Sequence, residues 1–157
     1  MASISPWTIP SLEKAPALYC TTRLEKHLSE RLGEILTTAT SPELIKVWKD
    51  KYTIHSYQID INSRATPVTL CQLMQEAACK HAENLKLGFS HLKERNLIWV
   101  LFRQLIRISS YPKWGETVEV HTWPTGRDRL FFYRDFRILD PAGSIAAEAT
   151  STWFVID

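Results

Sequence analysis

Residues 67–87 limit what this chain can fold into more than any other stretch. Leu70, Leu73, Met74, Ala77, Ala78, Ala82 and Leu85 recur at three-then-four spacing, which puts them on one face of an α-helix. Thr66 supplies an N-cap oxygen, and Pro67 takes the first helical position, where a missing N–H costs nothing. Gly88 is expected at C′. The helix these signals predict is a rod of roughly 30 Å. The middle of its apolar stripe is alanine, so whatever covers it must approach closely. No second helix of that quality follows, and the remainder reads as strands. The packing implied is a sheet curled around one helix.

The strands can be read from alternation. Residues 52–59 are the expected first strand, followed by the polar loop Asp60-Ile61-Asn62-Ser63-Arg64. After the helix, residues 89–95 read as a polar connector. Residues 96–108 then alternate, with Ile98, Val100, Phe102, Ile106 and Ile108 on one face and Trp99, Leu101, Arg103, Leu105 and Arg107 on the other. Tyr111-Pro112-Lys113-Trp114-Gly115 is a turn signal, residues 116–123 a strand, and Pro124-Thr125-Gly126 the next turn. Residues 130–139 alternate Phe132, Arg134 and Phe136 against Phe131, Tyr133 and Asp135. Asp140-Pro141-Ala142-Gly143 is a hairpin turn, and residues 145–156 return as the last strand. Strand, long helix, then four strands in three consecutive antiparallel hairpins give an α+β fold with the helix on one face of the sheet.

The first 49 residues differ in character. Pro6, Pro10 and Pro16 and the lack of any period predict an irregular arm over residues 1–20. Thr22 and Glu25 form a capping box ahead of the stripe Leu24, Leu28, Leu32, Ile35 and Leu36. Ser41, Pro42 and Glu43 open a second, shorter helix carrying Leu44, Ile45 and Trp48. The division expected is residues 1–49 as an arm and helical extension packed on the domain surface, and residues 50–157 as the domain. At 157 residues the chain suits one ordinary core. A net charge of +2 gives no electrostatic case for nucleic acid, and no apolar run approaches the ~18 residues of a membrane span. Cys20, Cys71 and Cys79 form no CxxC pair and are odd in number, which favours a reducing compartment. The first twenty residues lack the apolar core of a secretory signal. The cytoplasm is the expected location. A plastid is the alternative, since Met1 to Thr22 carry serines, threonines and a single acidic residue, Glu13.

Several strings of residues together resemble a known family. They are Gln75-Glu76-Ala77-Ala78 with His81-Ala82, Asn96-Leu97-Ile98-Trp99-Val100, Tyr111-Pro112-x-Trp114-Gly115, Thr122-Trp123, Arg134-Asp135 and Ala149-Thr150-Ser151-x-Trp153. In this order and spacing they resemble the first domain of acyl-carrier-protein thioesterases, over about residues 50–157. The resemblance implies the hotdog fold, an antiparallel sheet wrapped around one long central helix. It also implies hydrolysis of the thioester joining a fatty acyl chain to acyl carrier protein or coenzyme A. Family members usually pair two hotdogs. The first mainly shapes the acyl tunnel, and the second carries an Asp-x-Asn-x-His motif and a further acidic residue. The resemblance covers only the first, so a homodimer that replaces the missing half is expected, and a non-catalytic acyl-binding or dimerisation module is the alternative.

The candidate residues follow from both readings. Asp60-x-Asn62-x-Arg64 precedes the helix as a counterpart of the second domain's motif, with arginine where histidine would stand. Arginine stays protonated and cannot act as a base, though it can hold a phosphate or carboxylate. Alternatively Asp60 and Asn62 cap the loop through side-chain to backbone bonds. Glu76, at the edge of the apolar stripe, is either a partly desolvated general base or the partner of Lys80 at i+4. Asp60, Asn62 and Glu76 are the catalytic candidates; Arg64, Met74, His81, Trp99 and Arg103 are the substrate-binding candidates. Trp99, Trp114, Trp123 and Trp153 either line an acyl tunnel or fill the core. Arg103, Arg107, Lys113, Arg127, Arg129 and Arg134 form a basic set suited to an acidic carrier protein. No histidine has an acid or cysteine at metal-ligand spacing, so neither a metal nor another cofactor is expected.

Overall fold

The computed structural model describes residues 46–157. The arm at 1–20, Cys20 and the helix expected after Thr22 lie outside the described residues.

Strand β1 (Trp48–Thr53) opens the domain. It begins four residues before the expected first strand and includes Trp48, which the sequence reading placed on a helix. A 3-10 turn at Ser56–Gln58 ends any continuation of it. Gln58 closes that turn from both sides: its side-chain oxygen accepts from the His55 N–H at 2.8 Å, while its own N–H donates to the His55 carbonyl at 3.0 Å.

Helix α1 (Pro67–Asn84) starts as its signals predict. The Thr66 hydroxyl accepts from the Thr69 N–H at 3.1 Å, and Pro67 sits in the first turn. Its end differs. Lys86, not Gly88, takes the left-handed conformation, with φ 61°. Lys86 N–H bonds the Glu83 carbonyl at 3.0 Å and Leu87 N–H bonds the Ala82 carbonyl at 2.9 Å, a Schellman closure three residues before the expected end. Gly88 has φ −78° and caps the next helix, α2 (Phe89–Lys93). That segment reads as a connector because it is polar. Its helix forms because the Glu83 carboxylate reaches back to accept from the Ser90 N–H at 3.0 Å and from the Ser90 hydroxyl, and because Leu92 is fully buried.

Strands β2 (Ile98–Ile108), β3 (Thr117–Asp128), β4 (Phe131–Leu139) and β5 (Ile145–Ile156) complete a five-stranded antiparallel sheet in the order β1-β3-β4-β5-β2. The α+β architecture is as expected, but β2 and β3 do not form a hairpin. β2 pairs with β5, and β3 with β1 and β4. The segment between β2 and β3 crosses the start of α1 instead of turning. Ala65 N–H bonds the Pro112 carbonyl at 2.7 Å, Trp114 N–H the Ser63 carbonyl at 3.0 Å, and Gly115 N–H the Ile54 carbonyl at 2.9 Å. These bonds hold the crossing chain to the loop before α1 and carry it to the far side of the sheet.

Two bulges displace expected features. The β2–β5 register shifts between Leu101 and Arg103, so Trp99 shares the helix-facing side with Ile106 and Ile108, while Phe102 joins Phe131 and Phe154 on the outer side. Pro124-Thr125-Gly126 is not a turn. β3 runs on to Asp128 through a register shift at that point, where a residue lacking an N–H is tolerated. The turn falls at Arg129, with φ 52°.

The core lies between the sheet and the buried face of α1, formed by Thr69, Leu70, Leu73, Met74, Ala77, Ala78 and His81. Opposite stand Val118, Val120, Phe136, Ile138, Ala147 and Ala149. α1 lies closest to β3 and β1. A polar clamp secures that side. Lys80 Nζ donates to Asp50 Oδ2 at 2.7 Å, and the Tyr52 hydroxyl donates to the same oxygen at 2.9 Å. Partial burial raises the Asp50 pKa, but those two bonds, a third from the Lys51 N–H and the charge of Lys80 outweigh it and hold the carboxyl below its ordinary range.

A side chain with a Cβ in the left-handed region costs on the order of 1 kcal/mol. Lys86→Gly is therefore expected to stabilise the domain by about 1 kcal/mol, measured as a rise in the urea midpoint at constant slope.

Candidate functional site

α1 stands off from β4, β5 and the start of β2 on the flank away from β1. The gap is a cavity of about 550 Å³. Ala78, Cys79, Ala82 and Leu85 line it from the helix, Leu87 and Trp99 close one end, and Phe132, Tyr133, Arg134 and Trp153 form the sheet wall. Its size suits a small organic ligand or a hydrocarbon chain, and its walls are mostly apolar. The wall is held in place by hydrogen bonds. Trp99 Nε1 donates to the Leu87 carbonyl at 2.7 Å; Trp153 Nε1 donates to Ser151 Oγ at 2.7 Å, and that hydroxyl donates to the Arg134 carbonyl at 3.2 Å.

Two cations line this cavity, Arg127 and Arg134. Arg134 Nη1 donates to His81 Nδ1 at 3.0 Å and to Thr122 Oγ1 at 3.1 Å. A guanidinium only donates, so His81 Nδ1 accepts, which fixes the tautomer of a fully buried imidazole. Trp48 stacks on that ring at 6.0 Å. Burial pulls the Arg134 pKa down to about 10. Its neighbour Asp135 has its pKa raised by burial.

A second hollow of about 280 Å³ lies at the start of α1, lined by Asp60, Arg64, Ala65, Thr66, Pro67 and Tyr111. Asp60 Oδ1 accepts from the Asn62 N–H at 2.8 Å and from the Arg64 N–H at 3.0 Å. Those bonds, that to Arg64 first, lower the Asp60 pKa. In this state the carboxylate is acting as a loop cap, and a depressed pKa is the opposite of what a general base near neutral pH requires.

The remaining candidates are spread out. Glu76 is more than half exposed, 3.8 Å from Lys80, about 15 Å along the axis from Thr66 at ten residues' rise. Met74 is fully buried in the core, Trp99 lines the cavity, His81 is fully buried behind Arg134, and Arg64, Asn62 and Arg103 are exposed. Of the other tryptophans, Trp153 lines the cavity, Trp114 is exposed in the crossing segment, and Trp123 lies under the Arg137 guanidinium at 6.0 Å. Ser90, His91 and Glu83 are neighbours, yet one nitrogen, His91 Nδ1, faces both Ser90 Oγ and Glu83 Oε2 at 3.0 and 3.2 Å. A nucleophile relay needs the two ring nitrogens to face different partners, so this trio is a helix cap. Among the described residues no group of three His, Cys, Asp or Glu side chains is placed to hold a metal, and no helix is long and apolar enough to cross a membrane.

Sequence reasoning placed Arg134 with the surface basic set. The signal for its real position was an arginine between Phe132 and Phe136 on the inward face of one strand. Ala82 and Leu85 lie on the apolar stripe read from the sequence, whereas Cys79 stands outside it and had no such signal.

Comparison with known proteins fits this geometry. Residues 45–157 match the acyl-ACP thioesterase N-terminal domain. The chain belongs to the acyl-ACP thioesterase family. It is 36% identical over 119 residues to oleoyl-acyl carrier protein thioesterase 2 of Arabidopsis thaliana, a chloroplastic enzyme, covering 70% of this chain and 32% of that one. It is 32% identical over 142 residues to the Coriandrum sativum oleoyl enzyme, covering 85% and 38%. The chain thus spans about a third of the length of such relatives. Among solved structures, the acyl-ACP thioesterase of Bacteroides thetaiotaomicron superposes with a TM-score of 0.69 at 30% identity, covering 71% of this chain and 46% of that one. The 12:0-ACP thioesterase of Umbellularia californica superposes at 0.64 and 28%, covering 71% and 46%. The fold is the hotdog of this family.

A depressed carboxyl pKa stabilises the loop above the ordinary aspartate value, and that support is lost as pH falls through the depressed value. The Asn62 and Arg64 amide resonances are therefore expected to move together with the Asp60 carboxyl in an NMR titration, with a midpoint below the ordinary aspartate value. A midpoint above it would contradict the cap.

Proposed function

We propose that this chain is the acyl-binding half of an acyl-ACP thioesterase, holding the hydrocarbon chain of an acyl-carrier-protein or coenzyme A thioester in the 550 Å³ cavity beside α1. The observation that carries the reading is that cavity, apolar and walled by Trp99, Phe132 and Trp153, in a domain matching the family's first hotdog. Arg127 lines its mouth and Arg129 stands in the adjacent turn, so an acidic carrier protein would meet positive charge where the acyl chain enters. Cytoplasm is the compartment we assign, with a plastid as the alternative suggested by the chloroplastic relatives.

Hydrolysis needs a base able to reach working pH within hydrogen-bond distance of water. Glu76 in its exposed ion pair, Asp60 in its loop cap and the protonated Arg64 do not supply one together. This favours the reading in which the chain binds acyl groups and a second hotdog completes the site. β2 is a sheet edge among the described residues, with Ile98, Leu101, Phe102 and Leu105 exposed along it, and an unpaired apolar edge invites another sheet. The assembly proposed is a homodimer joined along β2.

Acyl binding can be read from the fluorescence of Trp99 and Trp153. The chain is expected to bind palmitoyl and shorter acyl thioesters while turning them over slowly, and Glu76→Gln is expected to leave both properties unchanged. A loss of about 10²-fold in turnover on Glu76→Gln would make Glu76 the base and overturn the binding-only reading. In sedimentation the protein should run as a dimer at micromolar concentration. A stable monomer there would refute the β2 assembly.

A further inference from the structure

Arg134 has more hydrogen-bonding capacity than the protein uses. A guanidinium carries five N–H groups, and among the described residues only those of Nη1 are engaged, by His81 Nδ1 and Thr122 Oγ1. Both partners are neutral. The Thr122 hydroxyl, having accepted from Arg134, donates its own proton to the Asp135 carbonyl oxygen at 3.0 Å. Nε and Nη2 make no hydrogen bond among the described residues, yet they are not sealed in the interior, and Arg134 is part of the cavity wall. No carboxylate among the described residues lies within ion-pair distance of the guanidinium. Asp135 follows it in sequence, but alternate strand residues point to opposite faces, and its side chain lies on the outer side of β4 across from Thr150.

A largely buried cation without a counter-charge is costly unless something compensates it. The hydrocarbon of a simple acyl thioester does not, because it is uncharged along its whole length inside the cavity. We infer that the cavity is a site for a hydrocarbon chain bearing a carboxylate, whose oxygens take the free N–H groups of Arg134 at Nε and Nη2 while the chain lies against Leu85, Leu87, Trp99, Phe132 and Trp153. The Nε and Nη2 edge of a guanidinium offers two parallel donors that match the two oxygens of a carboxylate. The inference rests on reading the cavity as the acyl site and names the chemical class that fits it. A carboxylate can reach Arg134 from two sources. It can be the head group of a free fatty acid, the product of thioester hydrolysis, or the far end of a dicarboxylic acyl chain.

The test uses the 157-residue chain and four probes, titrated against Trp99 and Trp153 fluorescence: decanoate, 1-decanol, decanoyl-CoA, and the mono-CoA thioester of decanedioic acid. Charge-assisted hydrogen bonds set the expected scale. Decanoate should bind about tenfold or more tightly than 1-decanol if the head group is what Arg134 holds. The decanedioic thioester should exceed decanoyl-CoA by a similar factor if the far end is. Either preference supports the inference, and it should disappear in Arg134→Met while Arg134→Lys keeps part of it. Retention of 1-decanol binding in Arg134→Met shows that the variant is folded. Should that variant fail to fold, the wild-type comparisons and Arg134→Lys still decide. Binding of 1-decanol and decanoyl-CoA with no gain from a carboxylate in either pair overturns this inference and leaves the acyl cavity standing. Binding of none of the four overturns both.

Discussion

The distance between α1 and the sheet controls the rest of the domain. Ala77 and Ala78 let the helix settle closely on β3 and β1, where Val118 and Val120 are sealed and the Asp50, Tyr52 and Lys80 cluster secures the edge strand. A straight rod cannot follow a twisted sheet along both flanks at once. Where it is tight against β3 it diverges from β4 and β5, and the 550 Å³ cavity is the consequence. The space an acyl chain would occupy is thus set by packing on the opposite side of the helix.

That geometry also governs the charged groups. The same inward face of β4 that supplies Phe136 to the core supplies Phe132 and Arg134 to the cavity, so one strand passes from dry packing to a polar site within two residues. Arg134 then determines the state of His81, since a donor-only group at Nδ1 leaves the imidazole neutral at that nitrogen. At the start of α1, by contrast, three side chains hold backbone: Asp60 to Asn62 and Arg64, Thr66 to Thr69, and the Thr69 hydroxyl to the Gln58 carbonyl.

Membership of the acyl-ACP thioesterase family rests on residues 45–157, which match the family's N-terminal domain. The exposed apolar residues along β2 lie on a sheet edge among the described residues, and Trp99 of the same strand lines the cavity.

The sequence alone determined what depends on near neighbours. The start of α1 is written in Thr66 and Pro67, the hairpin between β4 and β5 in Asp140 to Gly143, and β5 in an alternation whose bounds the structure reproduces. The motif strings were enough to identify the family, because they are residue identities at fixed spacing. Only the tertiary structure decided that β2 lies beside β5, since the backbone bonds from Ala65 to Pro112 and from Trp114 to Ser63 join segments about fifty residues apart in the chain. It also decided that Lys86 closes α1 and that Phe102 leaves the alternation, because a left-handed residue and a bulge answer to what is packed around them. The cavity belongs to this second class. Arg134 between two phenylalanines could be read from the chain, but that it lines a space bordered by Cys79 and Trp153 follows only from the angle at which a helix crosses a sheet.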